Sequence, residues 1–235
     1  MTFRLFALFA LLGAGSGLLA GPADAPAPLP AASIPLQGRI VDFRYYSPGD
    51  VYSVAVPVLH GDKAEIKDNG EIVVFKDDRA TLLTIAAFAM PRIAQWEYET
   101  SEPREYLIDF FRDNILRDYR REFPGSTIED ARFIPEIFDG ALVGFALLPG
   151  GSAFAVPPST APTAPTAAAK RAHLVFVRNR HIFVVAIELA EHVTRPPGFE
   201  ATDADENRIL FDRLLTVVDA MRFGEKAPAP AATVP

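Results

Sequence analysis

Apolar residues run through the middle of this chain in two rhythms, one suited to strands and one to helices. Residues 39–43 and 51–58 are short apolar-rich runs separated by Ser47-Pro48-Gly49-Asp50, which has turn chemistry, so both are expected to be strands. Residues 64–67 and 71–75 flank Asp68-Asn69-Gly70. Asn-Gly between β-rich runs is a strong hairpin signal, because both residues tolerate the positive φ of a type I′ turn. Asp77-Asp78 then turns the chain into residues 81–90, an apolar-rich stretch closed by Pro91. A buried strand suits it, although periodicity alone also admits a helix.

The helical rhythm follows. Over residues 103–122, Leu107, Phe111, Ile115 and Tyr119 recur every four positions as a buried stripe, with Asp109, Asp113, Arg117 and Arg120 opposite. Ser101 is the expected cap, Glu102, Glu105 and Asp109 lie near the positive end, and Pro124-Gly125 ends the helix. Strands are expected at 127–137, 140–148, 172–178 and 181–189, with Asp139-Gly140 turning the first pair. A two-residue loop at Asn179-Arg180 sets the last register: Arg178 opposite His181, Phe176 opposite Phe183, Leu174 opposite Val185. On the other face Val177 meets Ile182 and Val175 meets Val184, so both faces of this sheet must be covered. Asp203 is expected to cap a final helix, with Glu206 completing a capping box. Leu210, Leu214, Val217, Val218 and Met221 form its stripe, the helix running to 221–223 with Gly224 as its stop. Mostly short turns between strands imply an antiparallel sheet. The expected fold is a single α+β domain over 38–224, an antiparallel β-sheet covered by helices on both faces.

The ends and one internal stretch follow neither rhythm. Arg4 leads into the apolar run 5–12 and then small residues, the plan of a secretory signal peptide, expected over 1–23. The run is short of the roughly 20 apolar residues of a membrane span, which weighs against the rival reading of an uncleaved anchor. Residues 24–37 and 225–235 are rich in Pro and Ala and read as a disordered tether and tail. Residues 150–169 share that composition and read as a disordered insertion in a hairpin, since loop closure costs little more as a loop lengthens. There is no cysteine, so no disulfide supports the fold. Together these point to an extracytoplasmic protein, most simply of a bacterial periplasm.

Charge narrows the partners. With 30 acidic and 23 basic residues, a net charge of -7 and no basic cluster, the chain is unsuited to nucleic acid, whose binding requires clustered Lys and Arg. Arg117, Arg120 and Arg121 alternate with Asp113, Asp118 and Glu122 and read as a self-paired, solvated helix face.

Residues 51–57, the Asn69-Gly70 hairpin, the central helix, residues 173–188 and the closing helix into Met221-Arg222-Phe223 carry a resemblance. In the order and hydrophobic rhythm of these elements the chain resembles the PsbP-like family, named for an extrinsic protein of the photosystem II oxygen-evolving complex. The resemblance spans about 38–224 and implies an antiparallel sheet between helices. The insertion at 149–169 and the missing Trp soon after Pro57 depart from the family pattern. Family members include photosystem subunits and a nuclear-import factor that binds a small GTPase. Neither role transfers, because a scaffold does not fix a function.

Chemistry-bearing residues are sparse. His60 lies in a turn, His173 and His181 fall on opposite faces of the last hairpin, and His192 lies beyond it. No two have the spacing of a helical zinc site, so no metal site, cofactor site or catalytic set is expected. Ser152 sits in the insertion with no base in view, and Asp77-Asp78 and Asp203-Ala204-Asp205-Glu206 are most simply turn and cap residues. The remaining candidate is a binding loop at 91–101 carrying Trp96 and Tyr98 beside Glu97 and Glu99. Aromatics there either anchor a partner or, the commoner case, fold down as a lid over the sheet edge. The functional expectation is an exported, non-enzymatic binding or accessory protein of the cell envelope, with an envelope protein or small ligand as partner and no stable membrane insertion. The alternative is a small-molecule enzyme pairing His60 or His173 with a carboxylate in an α+β pocket.

Overall fold

A computed structural model describes residues 36–154 and 167–228. The signal peptide, nearly all of the tether, the middle of the insertion and most of the tail lie outside the described residues. The chain forms β1 (Arg39–Val41), β2 (Arg44–Tyr46), a 3-10 turn (Pro48–Asp50), β3 (Tyr52–Ala55), β4 (Glu65–Asp68), β5 (Ile72–Lys76) and β6 (Leu82–Ala89). Then come α1 (Arg92–Thr100), α2 (Pro103–Phe110), a π-helical segment (Phe111–Leu116), α3 (Arg117–Glu122), β7 (Thr127–Ile134) and β8 (Ala141–Leu148). β9 (Ala169–Arg178), β10 (His181–Glu188), α4 (Ala190–Thr194), α5 (Asp203–Asp219) and β11 (Arg222–Phe223) complete it.

Seven strands form the main sheet in the order β4-β5-β6-β10-β9-β8-β7, every pair antiparallel. The α+β class therefore holds. The last hairpin has the register expected of it, with Phe176 opposite Phe183 and Val175 opposite Val184. Residues 82–89 settle as a strand between β5 and β10. Strict alternation divides the core: Ile182 and Val184 point to the helices α1–α3, while Phe183, Val185 and Ile187 point to α5.

Several boundaries depart from expectation, each for a local reason. Residues 39–43 are not one strand: Asp42 and Phe43 take positive φ (48° and 58°) and fold β1 back on β2. β1, β2 and β3 leave the main sheet and join β11 in a second, four-stranded sheet. Arg222-Phe223, expected as the end of the last helix, is instead a strand paired with Ser53 and Tyr52. The second face of the main sheet is thus covered jointly by α5 and this small sheet, through Tyr45, Tyr52, Val54 and Met221. Around Phe183, Phe176 stacks at 5.0 Å, and Phe223 and Tyr52 meet its ring edge-on at 5.2 and 5.8 Å.

The expected helix 103–122 is present but changes winding. Glu102, not Ser101, is its N-cap. At an α-helical 100° per residue, a stripe repeating every four positions drifts by about 40° at each step. The π segment, with its wider turn, resets that drift, and Leu107, Phe111, Ile115 and Tyr119 all stay in one core. α5 starts one residue earlier than expected: Thr202 is the N-cap and Asp205 completes the capping box. The insertion is shorter than 150–169, because Phe154 packs in the core and Ala169 opens β9 opposite Leu148.

Candidate functional site

The predicted binding loop is a helix. α1 starts after Pro91, in extended conformation as N-cap, and ends at Ser101, just before Pro103 opens α2. Ala94 is buried against the body, and Tyr98 packs edge-on against Tyr106 at 5.3 Å. Read as a strand, Trp96 and Tyr98 share a face; on a helix they lie about 200° apart. With Tyr98 turned inward Trp96 is turned out, 64% exposed, next to Ile93 at 67%. The lid expected of Trp96 is therefore not formed. Ile93, Trp96, Glu97 and Thr100 share the outward face, at the i, i+3, i+4 and i+7 positions.

This face borders a groove of about 610 Å³ between α1 and the long helix, lined by Glu97, Ser101, Glu105, Tyr106, Asn114 and Arg117 among others. Its size falls within the range of ligand sites. The π segment shapes its floor: Asn114 is 7% exposed, and its Nδ2 donates to the Phe110 carbonyl at 3.0 Å. At one rim Arg112 bridges Asp109 and Asp113, each at 2.7 Å. Burial and the nearby charge of Glu97 raise the pKa of Tyr106, so the phenol stays protonated.

The histidines are dispersed. His60 is an exposed turn residue whose backbone N–H donates to Asp77. The same Asp77 carboxylate accepts from the backbone of Arg79, Ala80 and Thr81; burial opposes its ionisation, but these donors hold its pKa well below the usual range. It is a turn residue, as its sequence context suggested. His181 bonds the Asn179 carbonyl through Nδ1 at 2.9 Å, and His192 meets Glu206 at 2.9 Å. His173 is buried between sheet and helix, with Nε2 2.7 Å from the Tyr119 hydroxyl. Burial and the neighbouring Arg171 charge push its pKa down to about 3, so the imidazole is neutral.

Two buried charge clusters were missed by sequence reading. In one, Arg171 pairs with Glu188 at 2.9 Å and donates to the Gly151 carbonyl at 2.7 Å, while Ser152 Oγ donates to Glu188 at 2.7 Å. Ser152 thus sits beside a carboxylate, contrary to expectation, and this cluster ties the packed end of the insertion to β9 and β10. The cavity beside Tyr119, Arg171 and Glu188 holds about 10 Å³, the size of one water and far below a substrate. In the other cluster the buried Lys170 meets Glu129 at 2.9 Å and Glu206 at 3.3 Å. Burial alone lowers the Lys170 pKa, but these carboxylates outweigh it and keep the ammonium charged. Glu206 also takes His192 and Arg195, which fixes the start of α5 to β7, β9 and α4. The available signal was a charge at the end of an otherwise apolar strand: Lys170-Arg171 opening β9 and Glu188 closing β10.

Neither His60 nor His173 joins a carboxylate in an open cleft. Among the described residues no group of three or more His, Cys, Asp or Glu side chains is arranged to hold a metal ion, and no helix is long and apolar enough to cross a membrane. No protein-family model matches the chain, and no curated protein matches it. Among solved structures the chain is similar to cyanobacterial PsbP (CyanoP) from Synechocystis sp. PCC 6803, with a TM-score of 0.45 and 14% identity over 86% of this chain and 99% of that one. A structure from Bacteroides thetaiotaomicron VPI-5482 is also similar, with a TM-score of 0.33 and 11% identity over 79% of this chain and 51% of that one. The resemblance to PsbP-like proteins is one of scaffold only.

Proposed function

We propose that this chain is a non-enzymatic accessory protein of the cell envelope that docks a protein partner on the outward face of α1. The observation that carries the reading is the pair Ile93 and Trp96, both about two-thirds exposed on a helix that buries Ala94 and half-buries Tyr98 instead. Trp is enriched among the anchors that dominate interface energies, and a rigid helix face presents it without ordering a loop on binding. Action outside the cytoplasm is supported by the signal-like residues 1–23, and for such an exported chain the lack of cysteine suits a bacterial periplasm better than a eukaryotic secretory route. The enzymatic alternative gains nothing from the histidines, each held in separate surroundings.

The test compares the full chain with the Ile93→Ser/Trp96→Ser double variant as bait in an envelope extract, after matching their circular dichroism and melting midpoints. A partner retained by the native chain, lost by the variant and blue-shifting the Trp96 emission on addition is the expected result. Retention of the same proteins by both baits, or no change in Trp96 emission with the purified partner, would overturn the reading.

A further inference from the structure

Asn69 and Gly70, between β4 and β5, place an amide electrophile next to the least hindered backbone nitrogen a chain can offer. Asn69 N–H donates to the Ile72 carbonyl at 3.1 Å and closes the turn over Gly70 and Glu71. Asn69 Oδ1 accepts from the backbone N–H groups of Glu71 and Ile72, at 3.2 and 2.9 Å. Its Nδ2 makes no hydrogen bond to the described residues. The Gly70 N–H donates to Asp68 Oδ1 at 2.5 Å. Asp68 is 5% exposed, and its other oxygen accepts from the Gly38 N–H at 2.6 Å and the Tyr45 hydroxyl at 2.8 Å. Burial above all raises the Tyr45 pKa, so this hydroxyl stays a donor and holds the carboxylate in place. A nucleophile, a base and a pair of oxyanion donors thus surround one side-chain amide.

We propose that Asn69 is a self-modification site, at which the folded hairpin drives loss of the side-chain amide as ammonia. Asp68 Oδ1 takes the Gly70 amide proton as that nitrogen bonds to Asn69 Cγ, closing a five-membered ring. Negative charge gathers on Asn69 Oδ1, where the Glu71 and Ile72 N–H groups stabilise it. As the C=O bond re-forms, the Cγ–Nδ2 bond breaks; Asp68 returns the proton to Nδ2, which leaves as ammonia. Water then opens the succinimide at either carbonyl, leaving aspartate or isoaspartate at position 69. One water enters and one ammonia leaves, so the step needs no oxidant, metal or cofactor. The product sets a second carboxylate beside the buried Asp68, and the isoaspartate form adds a methylene to the backbone of the turn. Asp68 ties β4 to the start of β1 through Gly38 and to β2 through Tyr45, so the change loosens the small sheet from the edge of the main one. This chemistry is independent of docking on α1.

The experiment incubates the full chain near neutral pH, folded in buffer and unfolded in urea. Peptide mass mapping follows succinimide, aspartate and isoaspartate at position 69 over time. Conversion in the folded chain is expected to run at least about tenfold faster than in urea, since a positioned base and an oxyanion hole each supply that much or more. Asp68→Asn keeps the shape of the side chain but removes the base, and in the folded state it is expected to slow conversion by at least about tenfold. An equal or slower rate in the folded chain would mean that the turn shields Asn69, and would overturn the proposal. An unchanged rate in folded Asp68→Asn would overturn it too. Should that variant fail to fold, the comparison with urea decides alone.

Discussion

His173 shows how far a single residue's environment can be from its sequence context. On an apolar strand it looks like any strand histidine, yet it is enclosed by Tyr119, Phe111 and the sheet, with a pKa down to about 3. In the unfolded chain its pKa is near the ordinary 6.5, so between these values the unfolded state binds a proton that the folded state refuses. The stability tied to neutral His173 is therefore complete above pH 6.5 and is lost as pH falls toward 3. The slope is about 1.4 kcal/mol per pH unit, or roughly 3 kcal/mol between pH 6.5 and pH 4. His173→Gln, which keeps a hydrogen bond to Tyr119 but cannot titrate, is expected to remove that slope. Urea unfolding at pH 7, 5.5 and 4 checks it; equal pH dependence in both proteins would refute the assignment. The candidate residues divide similarly. That Trp96 and Tyr98 matter was legible as aromatics between charges, but which of them faces outward follows from the helical phase of α1, set by Ala94 packing on the body.

At the scale of elements, the β9–β10 hairpin was the most legible part of the chain, since its apolar pairs fit only one register. Its turn is nonetheless suboptimal: Asn179 and Arg180 both take positive φ, 47° and 59°, and Arg carries a side-chain penalty there. Arg180→Gly restores the Asn-Gly pair favoured in type I′ turns and is expected to raise stability by about 0.5–1 kcal/mol. A melting midpoint that falls would show that the Arg180 side chain contributes more than its backbone strain costs. The long helix was legible in extent and stripe but not in winding. Its four-residue repeat fits neither a pure α-helix nor a strand, and that mismatch is the trace the π segment leaves in the sequence.

For the whole molecule, the insertion is where sequence and structure define different boundaries. Composition marks 150–169, yet Ser152 and Gly151 hold Glu188 and Arg171, and Phe154 and Ala169 lie in the core. Replacing 155–166 by a short Gly-Ser linker is expected to shift the melting midpoint by no more than a few degrees. Extending the deletion to 150–169 removes the partners of a buried Arg–Glu pair and a core Phe, a loss of several kcal/mol. Thermal melts of the two deletions test this; equal midpoints would mean that the Ser152–Glu188–Arg171 cluster contributes nothing to stability.

By itself the sequence determined the α+β class, the antiparallel register of the last hairpin, the buried stripes of both long helices and the need to cover the sheet on both faces. These are local or period-based properties, set by turn residues and by which positions must leave water. Tertiary structure alone decided that residues 39–55 form a second sheet with Arg222-Phe223, since pairing between chain ends depends on where α5 delivers them. It also decided which charges are buried together and that α1 turns Trp96 outward beside an acidic groove. Such meetings are made by residues far apart in the chain, and no periodicity records them.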